Sequence, residues 1–109
     1  INVDKRILAA KGFLDANIEN PISLIQIANA ASISGRHLSD LFKDSFGLTP
    51  IGYIHDKRMQ KALELLQTTR LSIQQISEKE AFSSQAAFSD SFRRHYGKSP
   101  KHFRSPTKN

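Results

Sequence analysis

The sequence predicts an all-α protein of about seven helices, in which two helix-turn-helix subdomains are joined by a long linker helix. Apolar residues recur three and four positions apart through most of the 109 residues, and this spacing places them on one side of a helix. The chain also repeats itself, because residues 23–28 match residues 72–77 and residues 38–50 match residues 88–100. The offset changes from 49 to 50 between these segments, near Ser84. A repeat of this kind predicts two copies of one structural unit.

The first copy is expected to follow a packing helix over about residues 4–18, which ends before Pro21. Ser23 and Gln26 form a capping box at the start of the first helix-turn-helix, over about 24–46, and Gly47 ends it. The residues expected to face the core of this half are Ile7, Leu8, Leu14, Ile18, Leu24, Ile27, Ala28, Ala31, Leu38, Leu41 and Phe42.

A longer helix over about residues 50–68 follows, with Pro50 at its first position. These roughly 18 residues span about 27 Å at about 1.5 Å per residue. The linker residues expected to be buried are Ile51, Ile54, Ala62, Leu65 and Leu66. We therefore expect a rigid connector between the two halves.

The second helix-turn-helix is predicted over about residues 73–96, where Ser72 and Gln75 repeat the capping box. Its last helix carries Phe88, Phe92 and Tyr96 four residues apart, on the face opposite a polar and basic one. Either Ser83 or Ser84 can cap that helix, Gly97 can end it, and a final turn at Pro100 packs Phe103. Residues 105–109 are expected to form a flexible tail.

The positive charge lies in the second half of the chain. Residues 1–50 hold five basic and five acidic side chains, whereas residues 51–109 hold eleven and five, and the net charge is +6. Such a surface either serves solubility or binds a polyanion, and binding is favoured if the bases share one face. The sequence has no membrane-length apolar run and no signal-peptide pattern, so we expect a soluble, cytoplasmic protein that does not enter a membrane.

An enzyme is the first alternative, and the sequence disfavours it. The chain has no cysteine, and its four histidines are scattered without metal-ligand spacing or a Gly-rich phosphate loop. We expect no catalytic residue, no metal site and no cofactor.

The repeat, the linker and the two Gly-x-[Ser/Thr]-Pro ends resemble the DNA-binding domain of the AraC/XylS family of bacterial transcription regulators. The resemblance covers about residues 5–104. The residues that carry it are Ser72, Ile73, Phe82, Phe88, Phe92, Tyr96, Gly97, Ser99, Pro100, Phe103 and Arg104, together with Pro50, Tyr53, Arg58, Ala62 and Leu66 on the linker helix.

The resemblance implies sequence-specific binding of double-stranded DNA in transcription regulation. The recognition helices, about 35–46 and 84–96, would enter successive major grooves, so that one chain reads a non-palindromic site. It further implies RNA polymerase as a partner, and an N-terminal effector or dimerisation domain in the full-length protein. Activation and repression both stay open.

Carried over residue by residue, the family pattern gives two sets of candidate DNA contacts. The base-reading candidates are Arg36, Ser39, Asp40, Lys43, Gln85, Ala86, Ser89 and Asp90. The phosphate candidates are Ser23, Lys57, Ser83, Arg93, Arg94, Lys98 and Lys101. Arg36 suits guanine and Gln85 suits adenine, because each side chain can bond two groups on one base edge. The alternative for Arg36 is a phosphate contact alone, the alternative for Gln85 is simple solvation, and the alternative for the phosphate candidates is a solvated basic face.

Some residues depart from the family pattern. Asp40 and Asp90 stand where some members have arginine, and each either accepts from cytosine N4 or turns toward a nearby arginine. Ala81 replaces a glycine in the second turn, which costs about 1 kcal/mol if the position needs a positive φ. Ser77 replaces an alanine at a close helix contact, and Arg58 is expected to be structural, paired with a carboxylate.

The second alternative is an architectural protein that binds DNA without regard to sequence. It would share the positive charge but would not need two recognition helices of different composition. Arg36-His37 in one copy and Gln85-Ala86-Ala87 in the other favour the sequence-specific function.

Overall fold

The computed structural model describes residues 4–104, which form seven helices and no strand. The helices are α1 Lys5–Ala16, α2 Leu24–Ala31, α3 Gly35–Phe46, α4 Pro50–Thr68, α5 Ile73–Lys79, α6 Gln85–Tyr96 and α7 Pro100–Phe103. The chain divides into two compact units, and the boundary between Asp56 and Lys57 falls within α4. The predicted fold class is confirmed, and the predicted tail at 105–109 lies outside the described residues.

Both predicted capping boxes are present. Ser23 Oγ accepts from the backbone N–H of Gln26 at 3.3 Å, while Gln26 Oε1 accepts from the N–H of Ser23 at 2.8 Å. Ser72 and Gln75 form the same pair of bonds, at 3.0 and 2.8 Å. These bonds satisfy N–H groups that have no partner inside the helix, and so they fix where α2 and α5 begin.

The turn after α2 and the turn after α5 have the same backbone geometry. Ser32 and Ala81, which are equivalent in the repeat, adopt left-handed φ angles of 59° and 64°. In each turn the next residue donates its N–H five residues back, from Ile33 to Ala28 O at 3.2 Å and from Phe82 to Ser77 O at 2.9 Å. This is the Schellman pattern, in which glycine is the usual left-handed residue. Ala81 therefore has the positive φ at which an alanine in place of glycine costs about 1 kcal/mol.

Gly47 and Gly97 end α3 and α6 as predicted. Their φ angles are 79° and 84°, and each donates its N–H to the carbonyl oxygen four residues back at 2.7 Å. A side chain would be strained at both positions because their φ is positive.

The first unit packs around Phe42 on α3. This ring is fully buried, and it contacts Phe46 and Tyr53 at centroid distances of 4.8 and 5.5 Å. Tyr53 lies in the first turn of α4, and its hydroxyl donates to Asp15 of α1 at 2.6 Å. The other buried core residues of this unit are Ile7, Ala10, Leu14, Ile27, Ala28, Ala31, Leu38 and Ile54.

The second unit repeats this arrangement around Phe92 on α6. Phe92 is fully buried and contacts Tyr96 and Phe103 at 4.7 and 5.5 Å. Phe103, on α7, is the equivalent of Tyr53, so α7 corresponds to the first turn of α4. The other buried core residues here are Met59, Ala62, Leu65, Leu66, Ile76 and Phe88.

Two of the residues predicted to be buried are exposed, so those predictions were wrong. Leu8 is 50% exposed and Ile51 is 47% exposed. Ala10 lies three residues after Ile7 and is buried in place of Leu8, while Met59 is buried on α4. Several apolar residues satisfied the helical spacing, and the direction of packing chose among them.

Two polar side chains are fully buried in the second unit. Ser77 donates its hydroxyl to Gln74 O at 2.7 Å, so its burial leaves no unsatisfied donor. Glu80 is also fully buried, and its negative charge acts on Arg58 of α4. Desolvation lowers the pKa of Arg58, and Glu80 opposes that shift. Glu80 is therefore a carboxylate neighbour of Arg58, as expected, and the structural role of Arg58 stays a prediction.

The N-cap of α6 is Ser84, whose Oγ accepts from the N–H of Ala87 at 3.0 Å. Ser83 lies one residue before the cap, so Ser84 is the N-cap of the two serines that the sequence offered. Either serine could cap the helix by residue type, and the hydrogen bond from the Ala87 N–H to Ser84 Oγ identifies Ser84 as the cap.

Replacement of Ala81 by glycine is expected to stabilise the protein by about 0.5–1 kcal/mol. It relieves the strain of a left-handed alanine, about 1–2 kcal/mol, against the added entropy of the unfolded chain, about 0.4–1 kcal/mol. Denaturant unfolding measures the change. The control is Ala9→Gly, within α1, which should cost about 1 kcal/mol, and destabilisation by both variants would contradict the strain at Ala81.

Replacement of Ser84 by alanine is expected to destabilise the protein by about 1 kcal/mol, because the N–H of Ala87 loses its acceptor. Ser83→Ala is the matched control and should change the free energy of unfolding by less than about 0.5 kcal/mol. The reverse order of the two effects would assign the cap to Ser83.

Replacement of Glu80 by glutamine is expected to destabilise the protein by about 1–3 kcal/mol. The half-buried Arg58 would lose the charge that compensates it, and since Arg58 keeps some hydration the cost is below the 3–5 kcal/mol or so of a fully buried pair. Glu78→Gln, at an exposed position of the same helix, is the control. Equal unfolding free energies for both variants would remove Glu80 from this role.

Candidate nucleic-acid interface

Helix α3 buries one side and exposes a polar one. Leu38 and Phe42 are buried, while Arg36, Asp40 and Lys43 are exposed and Ser39 is half-buried. Within residues 4–104, no hydrogen bond or ion pair engages the guanidinium of Arg36. Its position in the first turn leaves it available to an external acceptor.

Helix α6 exposes a first turn of different composition. Gln85 and Ala86 are exposed, and Ser89 and Asp90 are half-buried. Gln85 is equivalent to Gly35, and Ala86 is equivalent to Arg36. Each copy therefore carries one long polar side chain in its first turn, at adjacent positions of the repeat. The two helices therefore present different donors, the guanidinium of Arg36 and the amide of Gln85, at positions that differ by one residue in the repeat.

Asp90 forms two ion pairs on the outer side of α6. Its Oδ1 lies 3.1 Å from Arg93 Nη2, and its Oδ2 contacts Arg94 Nη2. Arg93 and Arg94 are three and four residues further along, the spacing at which side chains on a helix meet. Asp90 thus turns toward nearby arginines, as one of the two alternatives had it.

Asp40, the equivalent residue in α3, has different neighbours. Lys43 and Asp44 take the positions of Arg93 and Arg94, and all three side chains are exposed. No ion pair of Asp40 is found in the described part of the chain. The two recognition helices therefore differ in how their central aspartate is engaged.

The segment that follows each recognition helix, including the first residues of the next helix, differs as well. Lys98 and Lys101 are exposed after α6. Their equivalents in the first unit are Leu48 and Ile51, which are 37% and 47% exposed. The sequence contains this contrast, since Leu48 and Ile51 align with Lys98 and Lys101 once the two copies are compared.

Three further phosphate candidates lie elsewhere in the chain, and one of them, Ser83, is exposed just before the N-cap of α6. Ser23 is the N-cap of α2, with its hydroxyl and its N–H both in the capping box. Lys57 is half-buried on α4.

The boundary between the units sharpens the charge asymmetry. Residues 1–56 carry five basic and six acidic side chains, a net charge of −1, and residues 57–109 carry eleven and four, a net charge of +7. The cations for phosphate contacts therefore belong mainly to the second unit.

The described residues show neither a metal site nor a membrane-spanning helix. No group of three or more His, Asp or Glu side chains in residues 4–104 is arranged to hold a metal ion. Of the seven helices in this range, none has the length and apolar character needed to cross a bilayer.

Comparisons with known proteins find the same architecture. A family model described as a helix-turn-helix domain matches residues 27–105. The transcriptional regulator AlkR of Acinetobacter baylyi is 37% identical over 86 residues, which are 79% of this chain and 28% of AlkR. The probable transcription factor PqrA of Proteus vulgaris is 37% identical over 83 residues, which are 76% of this chain and 68% of PqrA.

A solved structure agrees with these relatives. It is a transcriptional regulator of Chromobacterium violaceum described as containing an AraC-type DNA-binding domain, and it is 37% identical with a TM-score of 0.83, over 92% of this chain and 89% of that one. The chain spans only about a third of the first curated relatives it matches, from 28% to 36% of their length. The chain belongs to the AraC-type helix-turn-helix family of DNA-binding domains.

Proposed function

We propose that α3 and α6 each enter a major groove of double-stranded DNA and read base edges with their first turns. The observation that carries this proposal is the pair of exposed first turns, on helices whose opposite face is anchored by a buried phenylalanine. Arg36 and Gln85 are the readers, because Arg can bond guanine O6 and N7 and Gln can bond adenine N6 and N7. Ser39 and Ser89, which are equivalent in the two helices, are further base contacts.

The second unit supplies most of the phosphate contacts in this proposal. The cations for the DNA backbone are Arg93 and Arg94 in the last turn of α6, Lys98 in the turn that follows, and Lys101 in α7. Each phosphate neutralised releases condensed counterions, so binding weakens as salt rises. The first unit, with a net charge of −1, contributes little to this part of the affinity.

That α3 and α6 occupy successive grooves is a further part of the proposal. It is supported by the sequence repeat and by α4, which continues without interruption through 19 residues from one unit into the other. A single chain would then recognise an asymmetric site with two unlike boxes.

The setting of the domain is also proposed. Because the chain spans about a third of its first curated relatives, we propose that an N-terminal effector or dimerisation domain belongs to the full-length protein. RNA polymerase is a second proposed partner, since the relatives are transcriptional regulators. We further propose that the domain has no enzymatic activity and that it binds DNA in the cytoplasm.

A second candidate function is binding to DNA without regard to sequence. The observation in its favour is the net charge of +7 in the second unit, which alone supplies affinity for any duplex. Against it, an architectural surface has no use for different long side chains at Arg36 and Gln85.

Selection from a random duplex library at about physiological salt separates the two functions. Charge-driven binding is suppressed there, so that specific sites are enriched. An asymmetric motif with two unlike boxes, about one helical turn apart, is the expected result. The absence of any enriched motif, with retention that vanishes as salt rises, would leave the architectural function.

Replacement of Arg36 by alanine is expected to relax the preference at particular bases of the selected site, at a cost of about 1–3 kcal/mol on that site. Lys98→Ala should instead weaken binding to every duplex alike and reduce the salt slope by about one unit. Titrations of the selected and a scrambled duplex at several salt concentrations measure both effects. Lys61→Ala on α4, whose ammonium lies 3.7 Å from Glu64, is the control and should change neither. Identical behaviour of Arg36→Ala and Lys98→Ala on all duplexes would contradict base reading by Arg36.

A further inference from the structure

The two recognition helices carry an aspartate at the same position, but only one of these aspartates holds cations. Asp90 contacts both Arg93 and Arg94, whose side chains are 63% and 73% exposed. Asp40 has Lys43 and Asp44 at the matching positions, and it makes no ion pair among the described residues. The repeat therefore contains its own comparison between an engaged and a disengaged aspartate.

We propose that Asp90 is a specificity-determining residue that restrains Arg93 and Arg94 and so suppresses binding to non-cognate DNA. The proposal rests on the proposed function of α6 as a recognition helix. It assigns to this chain a residue that lowers affinity for most sequences and thereby raises discrimination, since specificity is a difference between affinities.

A non-cognate duplex offers the domain phosphates but no matching base edges. Such a duplex is held by phosphate contacts alone. There an arginine that turns to a phosphate gives up its contact with Asp90, and the carboxylate that stays behind is repelled by the same phosphates. Exposed ion pairs are weak, so the arginines can exchange partners, but the uncompensated Asp90 opposes every such complex.

On a cognate site the carboxylate has another partner available. Asp90 lies one turn after the exposed first turn of α6, on the half-buried edge of its outer side. A cytosine N4 amino group in the major groove can donate to it, which compensates the charge when the arginines turn to the backbone. The energetic penalty of Asp90 is then confined to sequences that lack this donor.

The exposed location of the three side chains makes the proposal testable without unfolding the helix. Asp90 is 48% exposed, and its replacement by asparagine keeps the shape of the side chain while removing its charge. Asp40→Asn in α3 removes the same charge from the equivalent position, where no arginine is engaged, and so on the scrambled duplex it reports the effect of net charge. Circular dichroism melting of both variants checks that the fold is retained.

The experiment measures Kd for the selected duplex and for a scrambled duplex, at several salt concentrations, with the wild-type domain, Asp90→Asn and Asp40→Asn. We expect Asp90→Asn to tighten binding to the scrambled duplex by about three- to ten-fold and to steepen its salt dependence by about one unit. The ratio between the two duplexes should fall by about five-fold or more, in the range of one lost base contact. Asp40→Asn should tighten binding to the scrambled duplex by a smaller factor.

A double-mutant cycle isolates the restraint. In a background where Arg93 and Arg94 are both replaced by glutamine, Asp90→Asn should lose its excess effect and match Asp40→Asn, because no arginine remains to be released. Persistence of the excess would show that the arginines do not mediate it, and the restraint would be overturned.

Two other outcomes overturn the proposal. If Asp90→Asn and Asp40→Asn shift both duplexes equally, only net charge matters. If Asp90→Asn weakens binding to the scrambled duplex, Asp90 orients the arginines for phosphates and does not restrain them. A failure of the proposed function appears differently, since the wild-type domain would then enrich no motif before any variant is made.

Discussion

One buried aromatic ring in each unit fixes the recognition helix that carries it. Phe42 and Phe92 are fully buried, and each contacts one ring from the end of its own helix and one ring from the following helical turn. Units of about 55 residues have small cores, so one large side chain accounts for much of the apolar surface that each core removes from water. Because Phe42 and Phe92 point inward, the face that carries Arg36 or Gln85 must point outward.

The two copies preserve this internal constraint while their surfaces differ. Ring pairs recur at nearly the same distances, 4.8 and 5.5 Å in the first unit and 4.7 and 5.5 Å in the second. Outside the core, the copies are free to differ: Leu48 and Ile51 of the first copy align with Lys98 and Lys101 of the second. Packing is sensitive to the volume of each buried side chain, whereas an exposed position tolerates almost any residue. Duplication therefore supplies one geometry that two different chemistries can use.

The fold could be predicted from the sequence because its signals are local. The capping boxes at Ser23 and Ser72 and the glycines at 47 and 97 mark helix ends through hydrogen bonds and φ angles that span only a few residues. Leu8 and Ile51 were misassigned because helical spacing gives a set of candidates, and only the contacts between helices decide which of them is buried.

The details of the site depended on side-chain geometry that sequence does not contain. The family resemblance singled out Asp90 and left two roles open for it, and only the position of its carboxylate relates it to Arg93 and Arg94. Likewise, Ser83 and Ser84 are both good N-caps by residue type, and one bond to Ala87 distinguishes them. The assignment of DNA contacts to individual residues stays a prediction, since base and phosphate contacts arise only in a complex.

The uneven charge of the two units has a consequence for how such a domain can bind. A unit with a net charge of −1 gains little from counterion release, so its affinity for DNA on its own must come from base contacts and is expected to be small. Continuous α4 ties it to a unit with a net charge of +7, whose cations make the phosphate contacts in the proposed function. Under that proposal, binding by the second unit makes binding by the first an intramolecular step, which raises the effective concentration of the first unit at the DNA. Weak but selective contacts then suffice in the first unit, and its lack of excess charge keeps them selective.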